Sequence, residues 1–481
     1  MSKTTKFSLS SFSILFIVLV ILAIITNFIA GATFSPELLS EDGDVAHVIG
    51  ASLSTVIMAP FLGFKDAMEI CIFILMLGGF LSIVNKTGAL EAGIQHVVRK
   101  LHGNELIIIP ILMVLFSIGG TTFGMSEETL PFYALLTSVM VVAGFDTIVS
   151  VGIVLLGSGS GVLGSTVNPF ATGVAMDALT AIDIKTNAGI VIGIGVALWL
   201  TTTAASILFV MRYAKKVKAS KGSTILSLQE QNLMKEHFST TSENTLDFTK
   251  KHKMVLTIFS AAFVIMIVSL IPWQKFGIHI FDGWTSYLTG QNFGDWYFGD
   301  LSMWFLFTGL AIAAIFRITE KDTIAAFVAG ANDMLSVVLI IVLARGTSVL
   351  MSATHLDLYI LEQSTLLLED FSPILFVLGS YVIYLFLAFL IPSSSGLAYI
   401  TMPIMGALTH NMGLPPEIMI MIFAATHGVI NMVSPTSGIL MGGLQMNHVE
   451  YTTWLRFMKL PIVVVIGLNL IVLITSVLIF Q

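Results

Sequence analysis

Long apolar stretches recur from residue 11 to the C-terminus, with short polar connections between them. A membrane-spanning helix needs roughly 20 mainly apolar residues. Only 11% of the chain is charged, against about 25% in soluble proteins. The sequence therefore predicts an all-α polytopic membrane protein. The clearest candidate spans are residues 11–32, 66–85, 187–211, 254–273, 301–316, 333–352 and 458–480.

One long polar stretch, residues 212–253, divides the chain into an N-terminal membrane half, 1–211, and a C-terminal membrane half, 254–481. Cytoplasmic loops of membrane proteins carry an excess of Lys and Arg. If this linker and the N-terminus are cytoplasmic, alternation of the spans places 18 of the 22 basic residues inside, three outside and Arg345 within a span. We expect about nine crossings, with a cytoplasmic N-terminus and an external C-terminus.

Two apolar stretches of about 40 residues are interrupted near the middle, at residues 120–131 and 392–403. A stretch that is too long for one crossing and is split by Gly and Pro is typical of a re-entrant helical hairpin. The hairpins are predicted at about 104–143 and 372–409. When the two segments are aligned, matching positions hold Gly124 and Gly396, Thr129 and Thr401, and Pro131 and Pro403.

A second interruption follows each hairpin, at residues 165–169 and 431–435. The order of hairpin and then Pro-interrupted span thus occurs twice, and the expected topology makes the two copies inverted. Such interruptions at matching places in two halves indicate the midplane binding site of a transporter. The predicted fold is an inverted-repeat secondary transporter with two re-entrant hairpins and two discontinuous helices. Alternatively, the Gly and Pro residues only allow close packing and kinks.

The interruptions carry side chains that could bind a small polar substrate beside half-helix ends. Glu127 and Glu128 are adjacent carboxylates at a hairpin tip, and intramembrane ionisable groups are functional candidates by default. They could instead complement a helix start that Ser126 caps. The uncharged candidates, any of which could simply cap freed backbone, are Thr121, Thr122, Asn168, Ser393, Ser394, Ser395, Asn431, Ser434 and Thr436.

Arg345 lies about twelve residues into its predicted span and could pair with a substrate carboxylate. It could equally neutralise Asp333 or Glu127, or satisfy carbonyls at a break. Asp333 begins the same predicted span and matches Asp66 when the halves are aligned, which favours a role at a helix end. His427, beside the second break, could titrate near neutral pH or donate to a backbone carbonyl.

We expect no enzymatic activity, no cofactor and no metal site. The pattern G-x-G-x-x-G at 159–164 lies in a transmembrane run without a preceding strand, so we interpret it as a helix-packing and hinge sequence. No G-x-x-x-x-G-K-[ST] motif occurs, so energy is expected from a gradient or from exchange. The net charge of −7 and the single Cys71 argue against nucleic acid binding and a Cys-based metal site.

Two other functional classes stay open. Re-entrant hairpins also line gated channels, and Ser394 or Ser395 with His427 could form the nucleophile and base of a membrane-embedded hydrolase. Saturable flux that substrate on the far side accelerates would distinguish a carrier from a channel, and product formation would reveal an enzyme.

Several long motifs resemble the YfcC-type members of the anaerobic C4-dicarboxylate carrier family. They are GFKDA (63–67), NKTGA (85–89), GTTFGMSEETLPF (120–132), GSTVNPFATG (164–173), LARG (343–346) and IPSSSGLA (391–398). The resemblance, over about residues 60–460, implies an arginine/ornithine-type antiporter of basic amino acids, with C4-dicarboxylate or other carboxylate transport coupled to Na+ or H+ as the alternative. It also implies an elevator-like homodimer in the bacterial cytoplasmic membrane, with lipid and a small-molecule substrate as partners.

Overall fold

The computed structural model of the protein describes residues 11–35, 46–93, 96, 105–220, 222, 225–238 and 248–480. Parts of the predicted linker and the basic residues Lys3, Lys6, Arg99, Lys100 and Lys221, which entered the orientation prediction, lie outside these ranges. Helices make up most of the described chain. Its one small sheet pairs β1 (Thr33–Phe34) antiparallel with β2 (Ala46–His47).

The helices of the N-terminal half begin with one apolar helix and end with a long one whose last turns are basic. They are α1 (Ser11–Phe28), α2 (Leu53–Asp66), α3 (Met68–Lys86), α4 (Ile108–Phe123), α5 (Leu130–Val142), α6 (147–164, with a π-helical segment at Gly152–Leu156), α7 (169–180, opening with a π-helical segment at Pro169–Gly173) and α8 (Ala188–Ala219).

The helices of the linker and the C-terminal half follow in the same way. They are α9 (Leu228–Phe238), α10 (Lys250–Leu270), α11 (Phe298–Phe316), α12 (Glu320–Ala353), α13 (Leu356–Leu368), α14 (Pro373–Leu390), α15 (394–411, with a π-helical segment at Met402–Gly406), α16 (Pro416–Val433), α17 (Gly438–Met446) and α18 (Tyr451–Phe480). Short 3₁₀ turns lie at Glu105–Ile107, Glu127–Thr129, Trp273–Phe276 and Thr285–Tyr287.

Ten helices within the described residues are long and apolar enough to cross a membrane, and α1 is a shorter apolar helix. The ten include α4 and α14, the first arms of the two predicted hairpins. The polytopic all-α prediction is therefore confirmed. The count of about nine crossings, in which the hairpin arms do not cross, stays a prediction, as does the inverted orientation of the repeats.

Several helices are longer than their apolar runs indicated, because polar residues near the ends continue the helix. The prediction that Asp333 begins a span is wrong: α12 begins at Glu320, and Thr319 caps it by accepting the N–H of Asp322 at 3.2 Å. α8 likewise continues to Ala219 through a basic segment, since Lys and Arg favour helix. Asp333 lies well inside α12 and is exposed.

Both hydrophobic cores contain residues of both halves of the chain. One core packs Phe73 and Ile148 with Val337 and Trp454, and the other packs Leu163 with Phe376. The predicted division at 212–253 therefore does not separate two packing units. Within the linker, α9 is held to the C-terminal half because the buried carboxylate of Glu230 accepts the N–H of Glu450 at 2.9 Å.

Close backbone contact fixes the crossing of α4 and α6. A Cβ atom added at Gly161 would lie 2.1 Å from the carbonyl oxygen of Ser117, and one at Gly120 would lie 2.2 Å from that of Ser158. Only glycine allows two helix backbones to approach this closely. The contact holds the first arm of the first hairpin against the first half of the following interrupted helix.

Candidate functional site

The first predicted hairpin is interrupted where the sequence indicated. α4 ends at Phe123, and Gly124 adopts a left-handed conformation, φ +76°, in which its N–H donates to the carbonyl of Gly120. A 3₁₀ turn at Glu127–Thr129 then leads into α5. The backbone is thus non-helical beside both glutamates, as a binding site built on a hairpin tip requires.

The carboxylate of Glu128 binds the backbone of this tip. Its Oε2 accepts the N–H of Ser126 at 2.9 Å, and the side chain is only 4% exposed. The alternative in which the Ser126 side chain caps the second arm is wrong, because no capping bond from it is present at the 3₁₀ turn. The carboxylate takes the backbone N–H instead, which leaves Glu127, half-buried, as the freer of the two acids.

The second hairpin is interrupted between Leu390, the last residue of α14, and Ser394 at the start of α15. Ser393 caps α15, because its hydroxyl accepts the N–H of Gly396 at 3.3 Å. The first N–H groups of a helix have no intrahelical partner and carry partial positive charge. The N–H groups of Ser394 and Ser395 are therefore free to bind an anionic group.

The two interrupted helices also break at the predicted positions. Asn168 caps α7 by accepting the N–H of Phe170 at 3.0 Å, and its amide donates to the hydroxyl of Ser165 at 3.1 Å. Ser437 caps α17 by accepting the N–H of Leu440 at 3.3 Å. The freed backbone at both breaks is thus satisfied mainly by local side chains.

At each break, a hydroxyl group donates a hydrogen bond to the first arm of the preceding hairpin. In the first half, the hydroxyl of Thr166 donates to the carbonyl of Thr121 at 3.1 Å. In the second half, the hydroxyl of Thr436 donates to the carbonyl of Phe389 at 2.8 Å and is paired at 2.6 Å with that of Ser434. The same kind of contact at both places supports the repeat that the sequence predicted.

A cavity of about 70 Å³ lies between the two hairpin tips, which is room for several water molecules or a small ligand group. Seven of the twelve predicted site residues line it: Glu127, Glu128, Arg345, Ser393, Ser394, Ser395 and Asn431. The structure thus brings together residues that lie more than 300 positions apart in the chain.

The other five predicted site residues, Thr121, Thr122, Asn168, Ser434 and Thr436, do not line this cavity. Thr122 donates to the carbonyl of Ile118 within its own helix at 2.7 Å. The remaining four take part in helix caps and in the hydrogen bonds between each break and its hairpin. Their hydrogen bonds hold the breaks in place, so a direct contact of these five with substrate stays a prediction.

Arg345 forms an ion pair that the sequence did not indicate. Its Nη1 lies 3.6 Å from Oδ2 of Asp66, the last residue of α2. Asp333, one of the two partners expected for it, is exposed and forms no ion pair in the described part of the chain. The Arg345 side chain is 17% exposed, whereas that of Asp66 is 50% exposed. The charge of Arg345 also acts on Glu127, the other partner expected for it, so the guanidinium lies close to two carboxylates.

Sequence reasoning missed several residues of the cavity wall. Tyr297 and Phe298 open α11, and Phe170 packs against Tyr297 with ring centroids 5.5 Å apart. Ile70 of α3 and Ile439 of α17 complete the apolar part. Only Phe170 belongs to one of the motifs, at 164–173, and the signal of the others is an apolar or aromatic residue near a helix start. His427, whose role the sequence left open, also lines the cavity.

No group of three or more His, Cys, Asp or Glu side chains is placed to hold a metal ion in the part of the chain that the structure describes. The chemistry of the cavity is that of a binding site. Two carboxylates and the Arg345 guanidinium line it together with serine hydroxyls and the start of α15. Such an arrangement can bind a small ligand that carries both a cationic and an anionic group.

Comparison with known proteins gives consistent matches over most of the chain. A family model for the C4-dicarboxylate anaerobic carrier, DcuC, matches residues 9–478. An uncharacterized protein of Haemophilus influenzae is 31% identical over 397 residues, which are 82% of this chain and 72% of that protein. The "putative basic amino acid antiporter YfcC" of Escherichia coli is 27% identical over 404 residues, 82% of this chain and 74% of that protein.

Two solved transporter structures are similar over nearly the whole chain. The YdaH transporter of Alcanivorax borkumensis has a TM-score of 0.46 and 14% identity, covering 96% of this chain and 97% of that one. MtrF of Neisseria gonorrhoeae, described as illuminating a class of antimetabolite efflux pumps, has a TM-score of 0.47 and 15% identity, covering 99% of this chain and 96% of that one.

Proposed function

Because the chain belongs to the DcuC family of C4-dicarboxylate anaerobic carriers and is a multi-pass membrane transporter, we propose that it exchanges basic amino acids in an arginine/ornithine-type antiport. The cavity between the hairpin tips is the proposed substrate site. Arginine and ornithine carry the same charge, so their one-for-one exchange is electroneutral and requires no ATP.

The observation that carries this proposal is the charge balance of the cavity. Glu127 and Glu128 both line it, whereas Arg345, the one Lys or Arg among the described lining residues, acts on both Asp66 and Glu127, so negative charge is in excess. Carboxylates placed away from bulk water are costly unless they are paired. A cationic amino acid side chain would supply the missing positive charge, and an anionic substrate would add to the excess.

The opposite side of the cavity suits the carboxylate of an amino acid. Ser393, Ser394 and Ser395 lie at the start of α15, where N–H groups and the helix dipole favour a negative group. Asn431 adds an amide that can donate or accept. A basic amino acid placed with its side chain toward the glutamates and its carboxylate toward α15 would satisfy both sides at once.

We propose that the protein works by alternating access, as a homodimer with an elevator-like movement. It lies in the bacterial cytoplasmic membrane, with its N-terminus in the cytoplasm. The family resemblance supports these features. The two hairpins meet at one site, so a movement that carries both tips would expose the substrate to one side at a time.

A C4-dicarboxylate or another carboxylate is the second candidate substrate, coupled to Na+ or H+. It is favoured by the description of the matching family and by the position of Arg345 on the cavity wall. In this case Arg345 and the start of α15 would bind the substrate, and the glutamates would serve as proton or cation sites.

Ligand-dependent thermal stability of the purified transporter distinguishes the two candidates. A ligand at 100 times its Kd stabilises the folded state by about 2.7 kcal/mol. We expect arginine and ornithine to raise the unfolding temperature, and succinate to leave it unchanged at the same concentration and pH. Stabilisation by succinate alone would contradict the basic amino-acid proposal, and citrulline, which lacks the side-chain charge, serves as the control for non-specific effects.

A further inference from the structure

A buried histidine without a protein partner lies at the wall of the cavity. His427 of α16 is 4% exposed, and its Nδ1 atom has no hydrogen-bond partner among the described residues. A buried polar group without a partner costs about 1–3 kcal/mol, so the position of this one beside a binding cavity calls for a reason.

Packing holds the His427 ring at the cavity. The adjacent Gly428 lies directly against α6, since a Cβ atom there would be 2.7 Å from the Cα atom of Leu163. One turn earlier, the ring of Phe423 lies 6.1 Å from the imidazole, centroid to centroid. α16 therefore cannot rotate or withdraw without moving the helix against which it packs, and the imidazole stays between an apolar layer and the cavity.

The two ring nitrogens of His427 have different surroundings. Nδ1 is sealed from solvent, so of the two ring nitrogens only Nε2 can reach the cavity that His427 lines. A neutral imidazole carries one N–H and one bare nitrogen. Burial of the bare nitrogen at the sealed Nδ1 position leaves the N–H on Nε2, where it can donate into the cavity.

The start of α15 lines the same cavity as His427. α15 opens with the eight-residue α-helical segment Ser394–Thr401, whose first N–H groups are free to bind an anion. Arg345 lines the cavity as well and lies 3.6 Å from the half-exposed Asp66. A ligand carboxylate at the start of α15 can therefore take Nε2–H of His427 as a further donor.

We infer that His427 and the start of α15 together form the carboxylate subsite of the transporter, with Nε2–H of His427 donating to a substrate carboxylate. The inference rests on the proposed function only in that the substrate carries a carboxylate. This is true of an amino acid and of a dicarboxylate alike, so the subsite can be tested whichever substrate the protein transports.

The test compares ligands with and without the carboxylate in reconstituted full-length wild type, His427→Leu, His427→Gln and His427→Asn. For each protein, the half-inhibitory concentrations of unlabelled arginine and of agmatine, which lacks the carboxyl group, are measured against uptake of labelled ornithine. If the wild type transports succinate and not arginine, the proposed substrate is wrong. Succinate and the uncharged succinamide then form the test pair against labelled succinate.

We expect His427→Leu to raise the half-inhibitory concentration of the carboxylate ligand about 10- to 100-fold, the effect of one hydrogen bond to a charged group. The value for the ligand without a carboxylate should stay within about two-fold. His427→Gln should retain most of the affinity, because its amide N–H can stand near the position of Nε2. His427→Asn, which reaches only the position of Nδ1, should resemble His427→Leu.

The unchanged value for agmatine or succinamide also shows that the variant is folded and its cavity intact. An equal rise for both members of the pair would assign His427 a general structural role and overturn the inference. No rise for the carboxylate ligand in His427→Leu would overturn it as well.

Discussion

Exchange of labelled arginine for ornithine should fall at least about 100-fold when Glu127→Gln and Glu128→Gln are combined. Each hydrogen bond to a charged group contributes about 1.5–3 kcal/mol, and every 1.4 kcal/mol is a factor of ten. With both carboxylates replaced by neutral amides, the cationic side chain of the substrate would move from water into a site that offers no compensating negative charge. The measurement is the initial rate of exchange in proteoliposomes that contain equal amounts of reconstituted protein.

The two single variants should differ, because the two carboxylates have different partners. Glu128 already accepts the N–H of Ser126, and glutamine keeps an acceptor oxygen for that bond. Glu127 is the freer acid, so Glu127→Gln should cause the larger loss of apparent affinity for arginine. The opposite order would assign substrate contact to Glu128 and a supporting role to Glu127.

A matched control for this charge removal is Glu417→Gln. Glu417 is also buried, and its Oε1 accepts the N–H of Asn187 at 2.5 Å, which a glutamine oxygen can do as well. It does not line the cavity. The exchange rate of the Glu417→Gln variant should stay within about three-fold of the wild-type rate. Exchange that persists in the Glu127→Gln, Glu128→Gln double variant would rule out the proposed role of both acids.

Gly161→Val should strongly destabilise the folded transporter. The added Cβ atom would lie 2.1 Å from the carbonyl oxygen of Ser117 and 2.7 Å from the backbone nitrogen of Thr121. These are backbone atoms of α4, so no side-chain rotation can relieve the clash, and the cost should exceed the roughly 1–3 kcal/mol of ordinary overpacking. We expect loss of the monodisperse peak in size-exclusion chromatography and a fall of more than about 10 °C in unfolding temperature.

Gly193→Val provides the control for a glycine within a membrane helix. Gly193 lies in α8, and nothing approaches a Cβ atom there within 4 Å. The same change should leave the chromatographic profile unaltered and the unfolding temperature within about 2 °C. If Gly161→Val were as stable as Gly193→Val, the backbones of α4 and α6 would not be in close contact.

The helix breaks were predictable from the sequence, because Gly, Pro and small polar residues within apolar stretches act locally. This is why the interruptions at Gly124, Ser393, Asn168 and Ser434 were found at the expected positions. The pattern at 159–164 was also interpreted correctly as a packing sequence. Its three glycines face α16, α4 and α8 in turn, at Met432, Ser117 and Trp199.

The partners of charged residues were not predictable in the same way. Arg345 pairs with Asp66, which lies far away in the chain, because the rotation and register of α12 against α2 decide which side chains meet. The position of Asp333 was predicted wrongly for a related reason. The first turns of α12 contain charged residues, so a span defined by its apolar run begins too late. The aromatic wall formed by Tyr297 and Phe298 depends on packing across elements, for which one sequence gives no signal.

Counterflow in proteoliposomes tests the central claim most directly. Vesicles are loaded with unlabelled ornithine, labelled arginine is added outside, and no ion gradient is imposed. A parallel set contains succinate inside and labelled succinate outside. We expect arginine uptake that internal ornithine stimulates and that empty vesicles do not show. Succinate exchange without arginine uptake would contradict it and would make Arg345 the main anchor of a dicarboxylate.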